Sequence, residues 1–123
     1  LESNPFAAVV QVAVANEFPG DPPNFFRRTP YGHHDIEAIT TMLREAGFKT
    51  VSAERVTFPC RGPSAEEVAM ALCQGTPLRN EIEQRAPDGL AAVTAVAARA
   101  LREAYGTGPI ESTQRAILFE AET

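Results

Sequence analysis

A chain of 123 residues, 44% apolar and with a net charge of −5, holds at most one domain, with enough apolar material to bury roughly two-thirds of its surface on folding. Eleven basic residues against sixteen acidic ones exclude a general nucleic-acid surface, which needs clustered Lys and Arg to neutralise phosphates. No apolar run reaches the roughly 18 residues of a membrane span; the nearest, Phe6 to Ala15, is interrupted by Gln11 and preceded by Glu2, so neither a membrane partner nor a signal peptide is expected.

Asn4-Pro5 reads as a helix start, a side-chain cap followed by a residue whose missing N–H is harmless at the first helical position. The helix is expected to reach about Asn16, with Phe6, Val9, Val10, Ala13 and Val14 as its apolar stripe. From Phe18 to Gly32 the density of proline and glycine breaks regular structure, although Asn24 to Arg28 has room for one helical turn. The same segment carries Phe18, Phe25, Phe26 and Tyr31, and a solvated linker has little use for four aromatics. It therefore reads as an ordered loop packed on something, such as a pocket lip or a partner surface.

Asp35 caps the next helix, with Ile36, Ile39, Leu43 and Ala46 as its buried face and Gly47 at the left-handed stop. A strand follows over about 49–60. Its alternation slips between Val51, Ala53 and Val56, Phe58, which predicts a bulge near Glu54-Arg55. Pro59 places the strand's end at an edge or exit. Ser64 and Glu67 have capping-box spacing and open a helix to about Gln74 that buries Val68, Ala69 and Leu72. Thr76-Pro77 starts another helix with Leu78 and Ile82 inside, and Asp88 begins the longest one, to about Tyr105, stopped by Gly106. A last strand is expected over about 114–121, its apolar centre Ala116 to Phe119 covered on both faces.

Few residues carry chemistry. His33-His34-Asp35 is a poor metal site, because adjacent side chains diverge and no third ligand stands at useful spacing. Histidine's near-neutral pKa and the preceding aromatic loop leave a substrate-facing or acid/base role open beside that of a plain loop-to-helix junction. Phe25, Phe26, Arg27 and Arg28 are either a recognition lip for an anionic or aromatic substrate, or core phenylalanines beside solvated arginines. Cys60 and Cys73, with no CxxC, read as two reduced thiols of a cytoplasmic protein. Cys73, on the apolar side of its helix and without a histidine partner, reads as packing.

The order of elements, a helix ending in Leu43 to Phe48 (LREAGF), a strand, a helical insertion and a terminal strand, resembles the end of class I S-adenosylmethionine-dependent methyltransferases. The nearest in style are small-molecule enzymes of the ubiquinone/menaquinone-biosynthesis type, and Asn4 to Phe6 (NPF) resembles the helical region after their fifth strand. The resemblance implies one partial domain over 1–123, an α+β fragment of an α/β Rossmann-like methyltransferase fold, mostly helical with two antiparallel strands. It implies S-adenosylmethionine as cofactor and a small-molecule substrate for the parent enzyme, with Tyr31, His33 and His34 near the substrate opening. The family binds its cofactor through a glycine-rich turn after the first strand. Here Gly106-Thr107-Gly108 follows a helix, so no cofactor residue is transferred and the chain alone is expected to bind no S-adenosylmethionine. Leu1 in place of an initiator methionine fits a processed, truncated or engineered start. A lone pair of strands is marginal in water, so a homodimer formed through exposed strand edges is expected. A self-standing dimeric α+β binding module without catalysis is the alternative.

Overall fold

The computed structural model describes residues 4–28 and 35–123, which form a mixed α+β unit. In chain order the elements are α1 (Pro5–Glu17), α2 (Phe25–Arg28), α3 (Ile36–Glu45), β1 (Thr50–Gly62), α4 (Ala65–Gln74), α5 (Leu78–Arg85), α6 (Leu90–Tyr105) and β2 (Ile110–Glu122). Among the described residues these make six helices and one two-stranded antiparallel sheet.

The helices pack as the apolar periodicity requires, α1 and α4 against α6, with α5 beside α4. Val10, Val14, Ala69, Cys73, Leu78, Ile82, Ala97 and Leu101 are fully buried there. α4 presents Ala65, Ala69 and Cys73 as its buried row, while Val68 and Leu72 are half-buried. The buried stripe is thus rotated from the expected one, because small side chains let α4 approach α6 closely. Ser64 Oγ accepts from Glu67 N at 3.2 Å, as the spacing predicts. α6 begins at Leu90 behind Gly89, two residues after the expected Asp88, and ends at Gly106, whose φ of +93° suits a residue without a Cβ.

The proline-rich segment after α1 is ordered where it is described. Phe26 is 2% exposed and belongs to the core, with Phe18 and Phe25 packed on it. Gln11 Nε2 donates to Pro23 O at 2.6 Å. Glu81 accepts from Asn24 N at 3.0 Å and from the Arg28 guanidinium at 2.8 Å. Arg85 donates to Asp21 O at 2.5 Å, so α5 ties the segment down from the other side.

α3 is made locally. Asp35 Oδ1 accepts from Ala38 N at 3.1 Å, Gly47 N donates to Arg44 O and Phe48 N to Leu43 O, with Gly47 at φ +108°. That paired arrangement is a Schellman motif, the stop predicted from AGF. None of its residues is fully buried: Ile36, Ile39 and Leu43 are half-covered against β1, and Ala46 is exposed.

The strands are longer than predicted and pair without interruption from Thr50↔Glu122 to Gly62↔Ile110. The expected bulge near Glu54-Arg55 is therefore absent, and Pro59 lies inside β1 opposite Thr113. A two-stranded ribbon has only edge strands, where proline is tolerated. The slip in alternation has another cause. At the root, Cys60, Gly62, Ile110 and Ser112 face the helices; towards the tip the opposite face, with Val51, Ile117, Phe119 and Ala121, is the half-covered one. Coverage crosses from one face to the other along a continuous ladder. Leu118 lies on the face left open and is 55% exposed, contrary to the expected two-sided cover of Ala116 to Phe119.

Candidate functional site

A cavity of about 240 Å³ lies between the start of α1, the side of α4 and the root of the hairpin. Three local features bring these walls together. Pro5 starts α1, and Ala8 N donates to Asn4 O at 3.0 Å. Ser64 caps α4. Gly62 lets α4 lie across the strand, because a Cβ there would stand 2.1 Å from Val68 Cγ2. Behind the wall, Phe6 meets Tyr105 edge to face with ring centroids 4.9 Å apart, and the Tyr105 hydroxyl lies 3.5 Å from Ser112 Oγ.

The lining is mostly apolar: Phe6 and Ala7 from α1, and Val68, Ala71 and Leu72 from α4. Polar groups come from Asn4, from Cys60 and Arg61 on β1, and from Thr113 and Gln114 on β2. Arg61 pairs with its cross-strand neighbour Glu111 at 2.5 Å, with both side chains largely exposed. Asn4 was expected to cap α1 through its side chain, but that side chain makes no capping bond. Its Oδ1 is buried without a hydrogen-bond partner among the described residues. The site can hold a small molecule; it offers no acid/base pair. Cys60 is half-buried in its wall.

Of the sequence-predicted pocket residues, the three that are described fall elsewhere. Phe26 is core, Phe25 packs beside it with ring centroids 5.6 Å apart, and Arg28 is paired with Glu81. None of these lines the cavity. Tyr31, His33 and His34 lie outside the described residues. Among the described residues no group of three His, Cys, Asp or Glu is placed to hold a metal ion, and no helix is long and apolar enough to cross a membrane. Cys73 is buried beside Thr94; burial pushes its thiol up to about 11, with a hydrogen bond to Thr94 acting the other way. It stays protonated at neutral pH and is inert as a nucleophile.

Neither a comparison with protein-family models nor a search of the curated proteins finds a match to this chain. The sequence signal that could have located the cavity is weak. Asn4-Pro5 reads as an ordinary cap, and only the fold shows that the amide makes no capping bond.

Proposed function

We propose that this chain is the C-terminal, substrate-side portion of a class I S-adenosylmethionine-dependent methyltransferase that acts on a small molecule. One observation carries the reading: the helix, Gly47 stop and strand lead to a ribbon whose antiparallel partner is β2, with three helices inserted between. The closing elements of the resembled fold have that order and that antiparallel sense, and there the final strand inserts beside a parallel sheet. The outer edge of β2, unpaired among the described residues, is where that sheet belongs on this reading. The cofactor then sits on the parent's other half, and this portion supplies a lid and pocket wall. Its contribution to rate is to orient the acceptor towards the methyl group.

The coding sequence upstream of Leu1 tests this. A strand, a GxGxG turn and an acidic residue about twenty positions further on support the reading; a start codon or an unrelated linker in their place ends it. The isolated chain is expected to give no heat with S-adenosylhomocysteine.

A second reading, a dimeric α+β binding module without catalysis, draws on the same open edges and on the 41% and 55% exposure of Phe58 and Leu118, which share a face of the ribbon. Light scattering that gives a 13.3 kDa particle at every concentration would remove it.

A further inference from the structure

We propose that the outer edge of β2 pairs with the same edge of a second copy, antiparallel and with Ile117 opposite the partner's Ile117, to make a four-stranded sheet in the order β1-β2-β2-β1. The inference rests on the reading of a dimeric module and deepens it, naming the surface and the register of the dimer.

Backbone, side chains and surroundings all select that edge. Among the described residues β1 and β2 pair only with each other, so each strand leaves one row of N–H and C=O groups open. A ribbon of two strands is marginal in water. The two edges are not equivalent. β1 carries Glu54 and Arg55 at its middle and Pro59, which has no N–H to give, further on; charge and proline are the usual guards of an exposed edge. β2 runs instead through four apolar residues, Ala116 to Phe119, without such a guard. α3 lies over β1, and the helical body closes on β2 at its root, where Ile110 is buried. Along the outer part of β2, Arg115, Leu118 and Glu120 are exposed.

The side chains of β2 fix partner and register. Residues opposite each other across antiparallel strands share a face, so in two copies related by a two-fold axis normal to the sheet one residue faces itself. With Arg115 or Glu120 at that point, like charges stand directly opposed, which is destabilising. With Ala116 or Phe119 there, Leu118 faces a polar Gln114 or Glu120. With Leu118 there, Arg115 and Glu120 both face alanines. Ile117 at that point matches every row. Ala116 faces the partner's Leu118, small against large; Gln114 faces the partner's Glu120, an amide donor against a carboxylate; Arg115 faces the partner's Phe119, a cation beside a ring. Symmetry makes each of these contacts twice. The strand is complementary to itself, and a second copy is its occupant.

The test joins light scattering to cross-linking of the full chain in a Cys60→Ser background, where the remaining thiol, Cys73, is buried. Mass is expected to rise with concentration from 13.3 kDa towards twice that value. Ile117→Cys places its thiol beside its own copy, with Cβ atoms about 4.5–5.5 Å apart, whereas Leu118→Cys meets its copy only on a diagonal of about 7–8 Å. A short bis-alkylating thiol reagent should therefore join the first at least about tenfold faster than the second, given that spacing. Amide exchange of the unaltered chain reads the same contact without any substitution: alternate amides of 114–120 should gain protection as concentration rises. A mass of 13.3 kDa at every concentration would overturn this proposal together with the dimeric reading. A dimer in which Leu118→Cys joins as fast as Ile117→Cys, or in which protection falls on β1 or on the helices, overturns the proposal alone.

Discussion

The helical body and the arm made of α3 with the outer hairpin come from one sequence, but they are stabilised differently. The body holds the fully buried side chains, among them Leu78, Ile82 and Leu101. From Asp35 to Arg61, and again from Glu111 to Thr123, no described residue is fully buried. Yet the arm is not built more poorly at the local level. It has a side-chain cap on α3, a Schellman stop and an unbroken ladder thirteen pairs long. What it lacks is a second layer, because α3 covers part of one face and the other face is largely open. Local signals can therefore shape an element completely and still leave it short of the burial that makes it rigid. The arm is expected to open at lower free energy than the body, which hydrogen exchange would resolve.

The strongest way to break that contrast is to damage the body. Leu101→Ala should cost about 2–5 kcal/mol and unfold body and arm together in a denaturant titration; an arm that keeps its exchange protection would contradict the dependence. A smaller effect comes from the joint. Gly62→Ala drives a Cβ into Val68 and should cost about 1–3 kcal/mol by overpacking. The loss should be recovered in part by adding Val68→Ala, and a double variant no more stable than the single one would refute this account.

The body also carries a pH effect. The folded-state pKa of Cys73 stands at about 11 against an ordinary 9.0. Its contribution is thus fully present below pH 9 and is lost as pH rises towards 11, because only the unfolded chain readily releases the proton. Cys73→Ala should flatten the stability curve in that window, and identical slopes for the two proteins would exclude the thiol as the cause. The smallest effect on stability belongs to the arm. Leu118→Glu, on the open face, should change monomer stability by no more than about 0.5 kcal/mol. It should also reduce any concentration-dependent association seen by light scattering; unchanged association would move the contact elsewhere.

Much of the fold is legible in the residues. Ser64 with Glu67, Asp35 ahead of α3, and Gly47 and Gly106 behind their helices act within a turn of themselves, so their chemistry is settled before any tertiary contact forms. Apolar periodicity likewise places Val10, Val14, Leu78, Ile82 and Leu101 inside, since a stripe at helical spacing has one way to leave water. The site is far less legible. Phe25, Phe26 and Arg28 are attractive as a lip only until Phe26 finds the core and Arg28 finds Glu81, a residue 53 positions away. The slip in the β1 alternation could not be separated from a bulge, because periodicity records which face is covered and not what covers it. Whether Asn4 caps a helix or faces a cavity was decided later still, by where α4 and the hairpin root close around it. Caps and stripes depend on neighbours in sequence; the cavity depends on segments some sixty and a hundred positions beyond Asn4, which only the packed chain brings together.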